Sequence, residues 1–389
     1  DIDGNICEGS FCPSDVRFHE VIRETYTLFA EADPDYIWID DDIRLAGHMP
    51  IVYTCFCDRC LARFSGIINR KLTRETLRKL FSEGAMEQKL EIRRQWLRFH
   101  QNKVAEWLRL IEETVHRVRP GLPIGFMTGE RYYEGYDFDR WEQVLAGTEP
   151  HAPVLWRPGG GYYSEEHTRG LTEKSHQIGR QVSLLTSKTV KIQSEIENFP
   201  YQALKKSAKI TVTEAASHLA AGCTGAAFNI LPDITACEFE PYIEKIHQTR
   251  KFYDLLAESF GRIPPVGVCT VWDKLSFATQ NLENGDWFAS SAANPSSHHG
   301  DEIYEMGIPA AYSLDHAVVY LLAGHRVRSL SHEQIMHMLS CGVYLDGPAL
   351  AQLNELGYGK YTGFETAGYF EKDAIEQYLP HAVNADIAG

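Results

Sequence analysis

Positive charge is what this sequence is short of: 38 Lys and Arg stand against 53 Asp and Glu, a formal net charge of −15 and a pI of about 5.5. Nucleic acid and anionic membrane surfaces both call for a basic face, so neither is an expected partner. Long apolar runs are missing as well. None approaches the ~18 residues that span a bilayer, and the stretches around Ala220–Leu231 and Ala310–Gly324 are short or broken by Asp315 and His316. No internal repeat, low-complexity tract or secretory leader pattern is visible, which sets aside solenoids and disordered linkers. Hydrophobic residues still make up 44% of the 389, enough for a large core and for two domains.

Short apolar strands alternate with longer helical patterns, the mark of a parallel sheet with crossover helices. The pattern predicts strands at Tyr36–Ile39, Ile124–Met127, Val154–Trp156, Val190–Ser194 and Ala226–Leu231. A long helical region ends near Arg119, where Pro120-Gly121 breaks it, and Thr211–Ala221 reads as a helix closed by Gly222. Five or six strands are fewer than a closed barrel needs. The expectation is a (β/α)₈ barrel over residues 1–262 whose first strands precede residue 1, with an open doubly wound sheet as the alternative. After Ile263-Pro264-Pro265 a second α/β pattern follows: strands at Val266–Val271, Ile308–Tyr312 and Gly342–Leu345, a helix at Leu314–Leu322 and a loop over Glu283–Asp301.

Acids directly after apolar strands are the places to look for chemistry, because barrel sites gather at the carboxyl-terminal ends of strands. Tyr36-Ile37-Trp38-Ile39 runs into Asp40, Asp41 and Asp42, with Arg44 close behind; three adjacent like charges require a partner, a proton or a metal. Glu195 and Glu197 share one strand face by the two-residue period. Trp156, before a Gly159-Gly160-Gly161 rim loop, is the aromatic expected to stack on a ligand at the strand ends, with Trp38 read as buried strand. The glycine run has no Lys-Ser/Thr after it and is not a phosphate loop. Cys55-Phe56-Cys57-Asp58-Arg59-Cys60 places three of nine cysteines within six residues, a tetrahedral metal site once Cys12 or Cys7 joins them.

These motifs, in this order, resemble family 42 glycoside hydrolases: Phe11-Cys12-Pro13, then Trp38-Ile39-Asp40-Asp41-Asp42, then the three-cysteine group with Phe64, then Glu197 with Pro200, then Ala220-Ala221-Gly222-Cys223-Thr224-Gly225. The resemblance implies a retaining β-galactosidase-like enzyme acting on a glycoside. It also implies a structural zinc held by Cys12, Cys55, Cys57 and Cys60, and an incomplete glutaminase-like domain over 263–389. Trimeric assembly follows from it too, and a reduced thiol site favours the cytoplasm. Carried over, Asp42 takes the acid/base position and Glu197 the nucleophile, with Glu195 in reserve. Asp40, Asp41, Arg44, Trp156 and Asn198 line the substrate. Asp41-Asp42 stand where the family has Asn-Glu, so the donor is one methylene shorter. A non-catalytic carbohydrate-binding protein on the same barrel is the competing reading. A glutaminase-like amidase at Cys341 is the third, though Leu339-Ser340-Cys341-Gly342 lacks a Gly-x-Cys-x-Gly elbow.

Overall fold

The computed structural model describes all residues except 9–10, 46–50, 130–131, 149, 203, 231–236, 284–285, 289–301, 365–367 and 369–389. Most of the predicted Glu283–Asp301 loop and the last residue of the Ala226–Leu231 strand lie outside the described residues. The first part of the chain runs α1 (Val16–Glu31), β1 (Ile37–Ile39), α2 (Asp58–Ile67), α3 (Arg74–Ser82), α4 (Met86–Val118), β2 (Ile124–Thr128), α5 (Phe138–Ala146), β3 (Val154–Pro158), α6 (Arg169–Ser183), β4 (Thr189–Glu197), α7 (Ala208–Ala220), β5 (Gly225–Asn229) and α8 (Glu240–Phe260). Its five strands pair in chain order, every pair parallel, so all five run toward the same end of the sheet. This is a partial (β/α) barrel. Each strand is followed by helix because a parallel neighbour can be reached only by a crossover.

The 33-residue α4 shows how sequence becomes packing. Leu90, Leu97, Val104, Leu108, Ile111 and Val115 recur at steps of seven, four and three, which lines them along one stripe. That stripe is buried with Trp96, Phe64, Phe99, Trp141 and Trp156 in the main core. Gly121, at φ 78°, turns the chain after the helix and delivers it to β2. Among the described residues, no helix is long and apolar enough to cross a membrane.

The second sheet contains β6 (Gly267–Thr270), β7 (Ala317–Leu322) and β8 (Gly342–Leu345), again parallel and in chain order. Helices α9 (Glu302–Glu305), α10 (His332–Leu339) and α11 (Gly347–Glu355) accompany it. Two sequence expectations are corrected. Leu314–Leu322 is not a helix: a single 3₁₀ turn at Leu314–His316 leads into β7, whose Val-Val-Tyr-Leu-Leu run pairs with strands on both sides. Burial between two strands outweighs a helical period that nine residues define poorly. Ile308–Tyr312 forms only an isolated bridge, Val268 to Ala310.

The chain after β6 packs back on the first unit. Trp272, Phe277, Leu282 and Trp287 belong to the main core. Buried Arg93 donates to the carbonyls of Phe81, Ala278 and Gln280, and Lys89 to that of Leu282.

Candidate active site

Register places the site residues. Trp38 pairs with Gly125, Gly125 with Leu155 and Leu155 with Lys191, so these share one face. Arg157, Glu195 and Glu197 follow at even spacings and share it too. The opposite face, with Ile37, Ile39, Phe126, Trp156, Ile192 and Ile196, is buried against the helices. Trp38 lies across β2 so closely that a Cβ on Gly125 would meet its ring at 2.3 Å. The Arg157 guanidinium sits 4.3 Å above that ring.

Glu195 and Glu197 close β4 at the same end where Asp40–Asp42 follow β1. In a flat sheet the three ladder steps between β1 and β4 would hold these groups about 14 Å apart at ~4.8 Å per step. The sheet curls, and the Asp41 carboxylate acts on both Glu195 and the Tyr163 hydroxyl. Burial pushes Glu195 up to about 7; Lys174 and Arg157 pull it down, while Asp41 and Glu197 push it further up. Gly159 makes room for it, since a Cβ there would stand 2.7 Å from the Glu195 carboxyl oxygen.

Glu197 is held by small polar groups. Tyr201 donates its hydroxyl to Oε1 at 3.1 Å, and the Asn229 amide donates to the same oxygen at 3.3 Å and to Tyr201 at 2.9 Å. Tyr163, pushed up to about 12 by burial and by the neighbouring acids Glu197 and Glu195, stands beside them at the rim. Phe199, 54% exposed, meets Tyr163 and Tyr201 edge-on and completes an aromatic lip.

Of the other sequence-selected residues, Asp41 and Arg44 reach the mouth, their ion pair 3.0 Å long with side chains 24% and 20% exposed. Asp42 turns outward, 71% exposed, and meets the other guanidinium nitrogen of Arg44 at 3.3 Å. Asp40 is exposed. Trp156 is placed elsewhere: it is fully buried on the helix side, packed on Phe126 and Phe138, its indole donating to Thr128. No sugar reaches it, and the indole on the mouth face is Trp38. Asn198 also points away, buried, with its amide on Thr211. Trp156 was misplaced because alternation separates two faces without saying which is inner when each carries apolar residues, whereas Asn198 lies opposite Glu197 by that same alternation.

Sequence reasoning missed a buried group behind β4. Lys174 of α6 and Lys206 before α7 both bond the carboxylate of Glu214 in α7, at 2.7 and 2.6 Å, with side chains at most 1% exposed. Lys174 also donates to the Glu195 carbonyl at 2.8 Å. Lys206 donates to the carbonyls of Glu197 at 3.0 Å and Tyr162 at 2.7 Å. No spacing rule finds three residues on three elements.

The cysteine group closes as a second site. The sulfurs of Cys12, Cys55, Cys57 and Cys60 lie within 4.8 Å of one another, with Cys12 at 3.3 Å from Cys57 and 3.8 Å from Cys60. A tetrahedral metal with bonds of ~2.3 Å sets its sulfurs about 3.8 Å apart, so the quartet could hold such an ion. The surroundings fit as well. Lys103, 1% exposed, donates to Cys60 Sγ at 2.8 Å and lies 4.2 Å from the Phe99 ring centre, a burial that calls for an anionic sulfur. Hydrogen bonds from the other three thiols, then the Lys103 charge, hold Cys60 far below the ordinary thiol range.

No family model matches the chain, and neither does any curated protein. Solved structures do. The β-galactosidase of Bacillus circulans sp. alkalophilus superposes with a TM-score of 0.52 at 15% identity, covering 82% of this chain and 52% of that one. Gan42B, a GH42 β-galactosidase of G. stearothermophilus, gives 0.53 at 10% identity, covering 88% and 56%. The β-galactosidase of the haloarchaeon Halorubrum lacusprofundi gives 0.51 at 14%, covering 89% and 59%. The chain thus spans between about half and three-fifths of the length of these structures, and at such identities the likeness is one of fold: the chain shares the barrel architecture of GH42 β-galactosidases.

Proposed function

We propose that this chain carries the site of a retaining glycoside hydrolase acting on a neutral β-glycoside, β-galactoside-like in type. The observation that carries the reading is the placing of acids at the carboxyl-terminal mouth of the parallel sheet: Asp41 reaches Gly129 after β2, Glu195 reaches Gly159 after β3, and the Asp41 charge acts on Glu195 and Tyr163. A glycosidic bond laid between the β1 and β4 ends has a carboxyl on either side, as double displacement requires. Glu197 is the nucleophile: Tyr201 and Asn229 fix the oxygen they bond, and the other oxygen attacks the anomeric carbon. The acid/base comes from the end of β1. Asp42 holds the motif position, but Asp41 is the carboxyl turned toward Glu195, and we assign the role to it. It protonates the leaving oxygen, then takes a proton from the water that releases the sugar. Glu195, pushed up to about 7, keeps its proton on the acid side of neutrality and there serves as a hydrogen-bond donor to the sugar. Trp38 and the Tyr163–Phe199 lip supply the apolar ring faces.

The quartet Cys12, Cys55, Cys57 and Cys60 would hold a structural zinc, fastening the segment before α1 to the start of α2. The ion would contribute stability and no catalytic step. We take 1–262 as the catalytic unit and 263–389 as part of a glutaminase-like domain, with β6–β8 as its parallel core and a trimer as the assembly, which sedimentation would check.

One observation favours binding without turnover. Arg44 bridges Asp41 and Asp42 at 3.0 and 3.3 Å, so the carboxyl assigned as donor is engaged by an ion pair. The test is hydrolysis of nitrophenyl glycosides by the wild type and by the Glu197→Gln, Asp41→Asn and Asp42→Asn variants. Turnover abolished by Glu197→Gln and Asp41→Asn supports the hydrolase. Sugar binding by calorimetry with no turnover in the wild type supports the alternative.

A further inference from the structure

The end of β4 is held in an unusual way. The β3–β4 ladder stops at Trp156 and Ile192, whereas β4 and β5 stay paired as far as Glu197 and Asn229. Ile192 gives its carbonyl to the β5 side, to Thr224. The odd-numbered carbonyls therefore face the β3 side, where beyond Ile192 no strand among the described residues meets them. Buried carbonyls need donors, and here the donors are ammonium groups: Lys174 on Glu195 and Lys206 on Glu197. Glu214 ties the two lysines together from α7.

The charge count does not close. Two ammonium groups and one carboxylate leave one positive charge inside the protein, all three side chains at most 1% exposed. His218, one turn after Glu214, does not balance it. It is fully buried with neither ring nitrogen bonded, and burial followed by the two lysines pushes its pKa far down, so it is neutral. The surplus charge faces carbonyl oxygens and, beyond them, the mouth carboxyls. A neutral Lys–Glu pair would satisfy Glu214, and apolar residues of equal volume pack at no desolvation cost. A second lysine is thus explained by what it does to β4.

We propose that Lys174, Glu214 and Lys206 are positioning residues, a buried cationic clamp that orients the Glu195 and Glu197 carboxyls and sets the charge of Glu195 from behind the strand. The role in turnover rests on the reading of β4 as the nucleophile strand; the clamp itself is testable without it. Glu195 is faced by Lys174 from α6, Arg157 from β3, Asp41 after β1, Glu197 on its own strand and Tyr163 at the rim. Lys174 is the cation whose removal leaves a balanced pair, Lys206 with Glu214, so Lys174→Met is expected to fold.

The experiment follows the Glu195 carboxyl by carbon-13 NMR in the unliganded protein, assigned by its loss in Glu195→Gln, with nitrophenyl glycoside turnover as a second reading. In Lys174→Met the Glu195 midpoint is expected to rise by about one pH unit, and in Lys174→Arg to stay near wild type. If wild type hydrolyses glycosides, the alkaline limb of its pH profile moves with that midpoint. A folded Lys174→Met with an unmoved midpoint overturns the clamp. Should the methionine variant not fold, Lys174→Gln keeps a donor for the Glu195 carbonyl without the charge, and an unmoved midpoint there is equally decisive. A shifted midpoint in a protein that cleaves no glycoside upholds the clamp and fails only the hydrolase reading.

Discussion

Two of the carboxylates at strand ends do opposite things. Asp346, just after β8, accepts from the Ala349 amide at 2.7 Å as the cap of α11 and from the Gly324 amide at 3.0 Å. Its oxygens are occupied by backbone, and its role is to start a helix and tie down a loop. Glu197, ending β4, accepts only from side chains, the Tyr201 hydroxyl and the Asn229 amide, and faces an open mouth. The backbone behind β4 is secured by lysines instead. A carboxylate at a strand end is structural when amides converge on it, and chemical when something else holds the backbone and leaves it exposed.

The sharpest way to break this contrast is to dismantle what is purely structural. Cys60→Ser removes a buried ligand and strands Lys103, so it should cost several kcal/mol, as loss of a structural metal site does. Thermal melts and metal content of the purified protein check it, and a protein of unchanged Tm without bound zinc would reject the site. Glu197→Gln sits at the other pole. Turnover of nitrophenyl glycosides should fall at least about a thousandfold while the melt stays near wild type.

Glu195 sharpens the comparison through pH. Its carboxyl is raised from an ordinary 4.5 to about 7 in the folded protein, so the folded state binds the proton more tightly. That stabilisation is complete below about pH 4.5 and is lost as pH rises through 7. Since Glu195 is only partly buried, the loss should be on the order of 2 kcal/mol, less than the full linkage value. Urea unfolding at pH 5 and pH 8 should show this decline in wild type and a flatter profile in Glu195→Gln. Smallest of all, Asp346→Ala should cost about 1 kcal/mol for the lost cap. It should leave glycoside kinetics untouched, and a change in kcat/KM would mean the two ends are not independent.

Much of this was legible in the sequence. The C-x-C-x-x-C spacing identified three thiols of the quartet because ligands so near in sequence can hardly avoid one another in space, while Cys12 was singled out over Cys7 by the family resemblance. The end of β1 was legible where an apolar run met charge at Ile39-Asp40, whereas β4 runs past the predicted Ser194 to Glu197. Trp156 was misread for Trp38 because both lie on strands with apolar residues on each face, and period two gives alternation without direction. Leu314–Leu322 was misread because the short apolar run Ala317–Leu322 suits helix and buried strand alike until neighbours pair with it.

The order of residues alone determined the alternation of strand and helix, the thiol group and the acids at strand ends, since each is a local matter of period, spacing or adjacency. Which acid turns inward, which indole meets the mouth and which lysines brace β4 were decided only by the fold. Those outcomes depend on the curl that brings β1 toward β4 and on burial that makes an unpaired charge too costly to leave alone.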